Sequence, residues 1–336
     1  MSTQDGWDGW DGWDGWDGWD GWSGANAGSG GGRGGGTALA TERTREGLVV
    51  GSPLDPALAD LDRPDGWPGT RPGDALAGLA ANTRQQVIVM ELIQGIALES
   101  GAGASLTVSV KAGGLSHMLK APGPEVFRNE LAQVELAADL RAERAAEIQA
   151  QLTFNPAFWA NILPLSGRRT PRTLELMRVV VSYGSFVVQR AKVMLNLPRP
   201  HELSPRIHPM VPTPGFTTYP SGHATESQLV SRVLFHLVST TQAAHKADPK
   251  TGNLSPAASA WLEAIEPMLE DLAFRIGENR EVAGIHFPID GKDGRLLADF
   301  LFKAHLGPAA KALPSHTEHH HFAWLWAEAA KEWGAT

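Results

Sequence analysis

The 336-residue chain contains no cysteine and only two tyrosines. Without thiols it can form neither disulfide bonds nor thiolate metal sites, and it has no cysteine nucleophile. Long apolar runs are also missing, because the most apolar stretch, residues 87–98, contains Glu91 and Gln94 and is too short to cross a bilayer. The N-terminus lacks the basic-then-apolar profile of a secretory signal. These absences predict a soluble, cytoplasmic protein without a membrane partner.

The first 36 residues differ sharply in composition from the rest of the chain. They contain six copies of Asp-Gly-Trp in residues 5–22, followed by a Gly/Ser/Ala run, and Arg33 is their single base. Glycine entropy and repeated acids oppose compact packing, so we expect residues 1–36 to be disordered. The tryptophans of this tail could dock on a partner, but expansion of a short repeat without consequence is the simpler interpretation.

The remaining chain has the composition of a folded body. Residues 37–336 carry 28 bases and 31 acids, a formal charge of −3. A nucleic-acid binder needs a basic surface, so this near-neutral charge argues against nucleic-acid partners. Residues 37–83 are rich in Pro, Asp and Gly and predict an extended arm. Residues 84–336 show helical periodicity and predict an all-α domain, a helical bundle.

Periodicity and proline punctuation divide the body into seven predicted helices. They are residues 84–99, 124–152, 172–197, 222–244, 256–280, 292–306 and 318–333. A single strand is predicted over residues 105–110, where β-branched and polar residues alternate. In the last helix, Trp324, Trp326 and Trp333 fit either core positions or contacts in a homo-oligomer.

Three separated segments concentrate basic and imidazole side chains beside glycine and proline. They contain, in chain order, Lys192 with Arg199, then Ser221, Gly222 and His223, then Arg280, His286 and Asp290. Arginine binds oxyanions in bidentate fashion, whereas lysine acts as a point charge. Convergence of three such cations would be repulsive without an anion. The set therefore predicts a pocket for a small oxyanion that carries two or three negative charges.

Each part of this set has a local structural reason. Pro220-Ser221-Gly222 precedes an apolar helical run, so it predicts a helix N-terminus whose free N–H groups favour an anion. Asp290 is close enough in sequence to orient the His286 imidazole through one ring nitrogen. Capping of the helix that begins near Lys292 is the alternative role for Asp290.

The pattern Lys-x6-Arg-Pro, Pro-Ser-Gly-His and Arg-x5-His-x3-Asp resembles the signature of the type-2 phosphatidic acid phosphatase/vanadium haloperoxidase superfamily. The resemblance covers about 100 residues, from Lys192 to Asp290, and it implies the helical bundle of that superfamily. Two features depart from the phosphatases. Asn279 stands where many of them have serine, and the 56 residues between His223 and Arg280 form a long spacing.

The resemblance implies roles for the same residues in two chemistries. In both, the oxyanion is held by Lys192, Arg199, Ser221, Gly222 and Arg280. In the phosphatases, His286 attacks phosphorus to form a phosphohistidine, Asp290 orients it and His223 protonates the leaving group. In the haloperoxidases, vanadate is the cofactor, and His286 is the single protein ligand of its vanadium. His223 then assists proton transfer while hydrogen peroxide oxidises a halide that reacts with an organic acceptor.

The segments that flank the motifs favour the haloperoxidase branch. Residues 219–225 and 284–291 are more similar to haloperoxidase segments than to those of secreted acid phosphatases. Phe216, five residues before Ser221, corresponds to a phenylalanine of chlorinating haloperoxidases. We therefore expect a vanadium-dependent haloperoxidase-like oxidoreductase. A soluble phosphatase that acts on phosphomonoesters is the alternative, and a non-catalytic anion-binding scaffold with a functional Trp-rich tail is the second alternative.

A histidine-rich segment, residues 316–321, resembles a metal site only superficially. Consecutive histidines on one helical turn point in different directions, so they cannot all bind one ion. A solvated helix start is the better interpretation of this segment.

Overall fold

The computed structural model describes three ranges of the chain, residues 76–246, 253–311 and 321–334. The predicted disordered tail, residues 1–36, lies outside these ranges. Of the predicted arm, residues 37–83, only residues 76–83 are described. Residues 76–79 form a turn in a separate unit, and all elements that follow lie in the unit that contains residues 80–336.

Eight helices of ten residues or more make up most of the described chain. They are α1 (Ala81–Gln94), α2 (Pro124–Ala137), α3 (Arg141–Ala150), α4 (Pro171–Leu195), α5 (Gly222–Lys246), α6 (Pro256–Val282), α7 (Pro288–Leu301) and α8 (His321–Gly334). Shorter helical turns lie at Ala138–Leu140, Ala157–Ala160, Pro200–Leu203, Phe302–Leu306 and Gly307–Ala310. None of the helices in the described ranges is long and apolar enough to cross a membrane.

Helix α5 lies at the centre of the bundle, in contact with α4, α6, α7 and α8. Its fully buried apolar residues recur at helical spacing: Leu229, Val230, Val233, Leu234 and Leu237. Prolines in the first turns of α4, α6 and α7 suit helix starts, because a proline nitrogen has no hydrogen to leave unsatisfied. The N-terminus of the central helix is buried as well, since Ser221 has no exposed surface.

The domain is mostly helical as predicted, but it also contains a small antiparallel sheet that packs on the helices. Its strands are β1 (Ile96–Gly101), β2 (Ser105–Val110) and β3 (Ser116–Lys120), in the order β1-β2-β3. The register pairs Val108 of β2 with Leu98 on one side and His117 on the other. Strand β2 confirms the strand predicted over residues 105–110, and its alternate residues are buried.

Two predicted helices are wrong in extent. The helix predicted over residues 84–99 ends at Gln94, because the chain leaves the helix and continues as β1. The helix predicted over residues 124–152 is interrupted by the 3-10 turn Ala138–Leu140, so it forms two helices, α2 and α3. In both cases the helical spacing of apolar residues continues in the sequence beyond the point where the α-helix ends.

The other five predicted helices are present. Four of them, α4, α5, α6 and α8, agree with the prediction to within three residues at each end. The fifth, predicted over residues 292–306, begins earlier, at Pro288, and changes into a π-helical turn after Leu301. The earlier start places Asp290 inside the first turn of α7.

The tryptophans of α8 belong to the core of the domain. Trp326 and Trp333 are only 8% and 4% exposed. Trp324 is half-buried beneath two guanidinium groups, Arg84 at 5.6 Å and Arg172 at 5.4 Å from its ring centroid. The core interpretation therefore holds for Trp326 and Trp333, and homo-oligomer formation stays a prediction.

Two glycines allow α6 and α7 to approach the first turn of α5 closely. A Cβ atom at Gly294 would lie 2.8 Å from the Ser221 carbonyl oxygen, and one at Gly277 would lie 3.1 Å from the Cβ of Ala224. Between α6 and α7 the chain reverses at Gly284, whose φ of 80° is a left-handed conformation that favours glycine. The end of α6 and the start of α7 consequently lie beside the N-terminus of α5.

Candidate oxyanion-binding active site

The predicted site residues lie at helix ends. In chain order they occupy the last turn of α4 (Lys192), the residue before the short turn Pro200–Leu203 (Arg199), the start of α5 (Ser221, Gly222, His223), the last turn of α6 (Arg280) and the start of α7 (His286, Asp290). Apart from the half-buried Gly222, each has at most 9% of its surface exposed. Buried ionisable groups require hydrogen bonds or opposite charge, so their contacts indicate what the pocket binds.

Asp290 orients the ring of His286. Its Oδ2 atom lies 2.9 Å from His286 Nδ1 and 2.9 Å from the Phe287 amide nitrogen, and it also accepts the Thr218 hydroxyl. Oδ2 accepts from the Phe287 amide, so Nδ1 of His286, which faces the same oxygen, carries a hydrogen and Nε2 has the lone pair. Burial raises the pKa of Asp290 to about 7, and Oδ2 is an acceptor in both charge states of the carboxyl group. The two roles considered for Asp290 are therefore combined, because the same oxygen orients His286 and caps the helix that begins at Pro288.

Three cations converge on the two histidines of the site, and they are Lys192, Arg199 and Arg280. Burial, followed by the positive charges of these groups, holds the pKa of His286 well below its usual value of 6.5. The pKa of His223 is also well below 6.5, because burial and then the charge of Arg280 oppose its protonation. Both imidazoles are consequently neutral at neutral pH.

Neutral oxygen atoms hold the cations in place. Lys192 Nζ donates to two carbonyl oxygens at 2.9 and 3.1 Å, and Arg199 donates through Nε and Nη1 to two others at 2.9 and 2.8 Å. The Phe216 ring covers both groups, with its centroid 4.8 Å from Lys192 Nζ and 5.5 Å from Arg199 Cζ. Arg280 Nη2 donates to Gln151 Oε1 and to a carbonyl oxygen, both at 3.2 Å. These acceptors orient the cations, and the positive charge of the three groups suits an anionic ligand.

The hydrogen bond of His223 determines which of its nitrogens can exchange a proton. Its Nε2 atom lies 3.1 Å from the Gln151 carbonyl oxygen, which can only accept. Nε2 therefore carries a hydrogen in both charge states of the ring. Nδ1 is the nitrogen that can take up or release a proton during a reaction.

The first turn of α5 contributes main-chain N–H groups to the site. The Ser221 amide donates to the Asp290 carbonyl oxygen at 3.0 Å and ties the start of α5 to α7. The amides of Gly222 and His223 lie in the first helical turn, where N–H groups have no partner within the helix and favour an anion. A Cβ atom at Gly222 would make only ordinary contacts, at 3.6 Å or more. Packing among the described residues therefore does not require glycine there, and the missing side chain leaves room for a ligand to approach the backbone closely.

Two residues outside the sequence motifs complete the site. Thr218 donates its hydroxyl to Asp290 and lies 3.1 Å from His286 Nδ1. Gln151 contacts both Arg280 and His223. Thr218 is only three residues before Ser221, so its proximity to a motif was a usable signal. Gln151 lies about 40 residues before the first motif and has no local signal of this kind.

No group of three or more His, Asp or Glu side chains within the described ranges is arranged to hold a metal ion. Residues 316–320 of the histidine-rich segment lie outside those ranges. His321 begins α8, and its Nδ1 atom lies 2.6 Å from Glu91 Oε2. The role of His286 as the single ligand of vanadium requires no such group and stays a prediction.

No protein-family model and no curated protein sequence matches the chain. Among solved structures, the chain is similar to the first transmembrane PAP2-type phosphatidylglycerolphosphate phosphatase from Bacillus subtilis, with a TM-score of 0.41 and 17% sequence identity. The similarity covers 57% of this chain and 89% of that protein. The function of this chain therefore has to be argued from the geometry of its site.

A partly buried acid beside the site has an unusual pKa. Glu281 is close to the start of α7, where a Cβ atom at Gly291 would lie 3.0 Å from its Oε1. Burial raises the pKa of Glu281 from 4.5 to about 8, although Arg295 opposes the change. The folded state therefore keeps a proton that the unfolded state releases above pH 4.5. This contribution to stability is present below pH 4.5 and is lost as the pH rises to about 8.

Glu281→Gln should therefore raise the melting temperature most at pH 9 and have much less effect at pH 5. The shift corresponds to at most about 5 kcal/mol of unfolding free energy. Thermal unfolding of parent and variant from pH 5 to 9 measures this difference, and exposed Glu263→Gln on the same helix is the control. A melting-temperature difference that is constant over this pH range would contradict the expectation.

Proposed function

We propose that the protein hydrolyses phosphate monoesters in the pocket at the ends of α4, α5, α6 and α7. The observation that carries this proposal is the state of His286. Its Nδ1 is held by Asp290, and the neutral ring lies among three cations. Such a ring offers the Nε2 lone pair to a phosphoryl group bound by those cations. Groups for attack, charge stabilisation and leaving-group protonation are all supplied by the chain itself.

The proposed reaction consists of two displacements at phosphorus. Nε2 of His286 attacks phosphorus, the bond to the ester oxygen breaks, and the departing alkoxide takes a proton from Nδ1 of His223. Water then attacks the phosphohistidine and gives its proton to His223, the P–N bond breaks, and inorganic phosphate leaves. The three cations stabilise the negative charge on the non-bridging oxygens in both steps.

Substrate binding supports the acid role of His223. The ring must be protonated before the first step, although burial and the cations lower its pKa. A phosphate dianion offsets those positive charges and raises the pKa of His223. The substrate itself therefore promotes protonation of the acid that assists its cleavage.

The second candidate function is peroxide-driven halide oxidation with vanadate as cofactor. Vanadate has the shape and charge of phosphate, so the donor set fits it: Nε2 of His286 would bind vanadium, and the three cations would hold its oxygens. Bound vanadate would supply the centre that activates hydrogen peroxide toward a halide. The specific observation in favour is the Phe216 ring over Lys192 and Arg199, because chlorinating haloperoxidases have phenylalanine at the corresponding position.

One assay separates the two candidates. Purified full-length protein is incubated with and without orthovanadate, and release of nitrophenol from its phosphate ester is followed beside halogenation of a dione by hydrogen peroxide with bromide or chloride. We expect ester hydrolysis that vanadate inhibits, without halogenation. The His286→Ala variant, purified in parallel, measures the background from contaminating phosphatases.

Two other outcomes would overturn the proposal in different ways. Vanadate-dependent halogenation without ester hydrolysis would establish the second candidate and rank the halides. If neither ester hydrolysis nor halogenation is detected while the protein still binds inorganic phosphate, the result would favour a non-catalytic anion-binding scaffold.

A further inference from the structure

We propose that Gln151 is a positioning residue for Arg280, and that its side chain thereby sets the affinity of the pocket for an oxyanion. The inference rests on the oxyanion pocket of the proposed function, but not on hydrolysis. Gln151 lies directly after α3, outside the three motifs, and is only 2% exposed. The main-chain N–H of Gln151 donates to the main-chain carbonyl oxygen of Glu147 at 3.0 Å, so its backbone is held at the helix end.

Every polar atom of the Gln151 amide group has a partner that suits it. Oε1 accepts from Arg280 Nη2 at 3.2 Å and from Asn279 Nδ2 at 2.9 Å, while Nε2 donates to Glu147 Oε1 at 3.0 Å. Two donors on one side and a carboxylate on the other define which amide atom is oxygen. The amide therefore presents a fixed acceptor to the guanidinium group of Arg280.

A second layer of side chains fixes the partners of Gln151. Glu147 is held by Arg275, whose Nη2 lies 2.8 Å from Glu147 Oε2, and by Asn279 Nδ2 at 2.9 Å from its Oε1. Arg144 Nη1 lies 3.3 Å from Asn279 Oδ1. Asn279, the departure from the phosphatase pattern, therefore belongs to the network that holds Gln151. A network of this kind restricts the rotamers of each member.

The same residue also contacts the second histidine of the site. The Gln151 carbonyl oxygen accepts from His223 Nε2 at 3.1 Å. One residue at the end of α3 thus touches both a cation and an imidazole of the proposed anion site. Because the two contacts use different parts of Gln151, its side chain can be altered while the carbonyl contact to His223 is kept.

The test is inorganic phosphate binding to full-length variants, measured by calorimetry beside their melting temperatures. Gln151→Met keeps the size of the side chain but removes the acceptor of Arg280, so we expect affinity to fall about tenfold. Gln151→Glu keeps an acceptor but adds a charge that engages Arg280. Its second carboxylate oxygen replaces the donor that faces Glu147 Oε1, so we expect a lower melting temperature than in the parent, while phosphate affinity falls at least as far as in Gln151→Met.

Matched controls are available two residues earlier in the chain, in the last turn of α3. Gln149 is exposed, so Gln149→Met and Gln149→Glu make the same chemical changes in solvent and should alter phosphate affinity less than about twofold. A purely structural Gln151 would lower the melting temperature of Gln151→Met and leave phosphate affinity unchanged. That result would overturn the inference, and so would equal losses of phosphate affinity in Gln151→Glu and Gln149→Glu.

Failure of the proposed function has a different signature. In the first case, the parent protein binds phosphate but hydrolyses no ester, and Gln151→Met lowers phosphate affinity. This result would support the positioning role of Gln151 and overturn the proposed phosphatase function. In the second case, the parent hydrolyses esters and Gln151→Met binds phosphate as tightly as the parent does. This result would overturn the positioning role alone. A parent that neither binds phosphate nor hydrolyses an ester overturns both.

Discussion

Replacement of His286 by alanine should abolish phosphomonoester hydrolysis while leaving the binding of inorganic phosphate within a few-fold of the parent. Asp290 orients the imidazole through Nδ1, and the loss of this ring removes the Nε2 atom that we propose attacks phosphorus. We expect the turnover number to fall on the order of 10⁴-fold or more. The cations that hold phosphate are unchanged, so calorimetric titration with phosphate should still show binding.

Chemical rescue distinguishes a missing nucleophile from a damaged fold. Free imidazole can enter the space left by the side chain of His286→Ala and should restore part of the activity, in proportion to its concentration. Exposed His208→Ala is the matched control and should retain full turnover. A His286→Ala variant with parental turnover would contradict the assignment of the nucleophile, and it would also remove the vanadium ligand of the second candidate.

The composition of the site could be predicted because its residues lie at helix ends, where local sequence is informative. Pro198 and Pro200 end the helix that carries Lys192, and Pro288 begins the helix that carries Asp290. Helix termini are defined by a few adjacent residues. The spacing between motifs then requires only that a bundle brings those termini together, which α5 and its neighbours do.

Two of the three strands could not be predicted, because their formation depends on a partner. Residues 96–101 follow α1 and continue its apolar spacing, so they fit a helix as well as a strand. Residues 116–120 are short and mostly exposed. Only β2 has a clear alternation of its own, and pairing with β2 determines the structure of the other two.

The contacts that give Gln151 and Thr218 their supporting roles could not be predicted from the sequence, although Thr218 lies only three residues before Ser221. Gln151 acts through contacts with Asn279 and Arg280, which are more than 100 residues away in the chain. Thr218 acts through Asp290, which lies 72 residues away. Such pairs depend on the tertiary arrangement of helices, for which a single sequence contains no local pattern.

Arg280→Met should weaken inorganic phosphate binding by about 1.5–3 kcal/mol, roughly 10- to 150-fold. Arg280 is completely buried, and Gln151 and a carbonyl oxygen hold its guanidinium group, so water screens its charge little. Its positive charge also lowers the pKa of both His223 and His286. Removing that charge should raise both pKa values, so activity that remains should persist to higher pH than in the parent if protonated His223 is the acid.

The size of this loss depends on position as well as charge, and a second arginine shows the difference. Arg232 of α5 is paired with Asp299 and Glu270, so Arg232→Met removes the same charge from a site that already contains anions. It should change phosphate affinity less than about twofold. Arg280→Lys keeps the charge but loses the planar fork, so it should bind phosphate with intermediate affinity. Equal phosphate affinity in the parent, Arg280→Met and Arg232→Met would mean that Arg280 does not face the bound anion, and the pocket would have to be assigned to other residues.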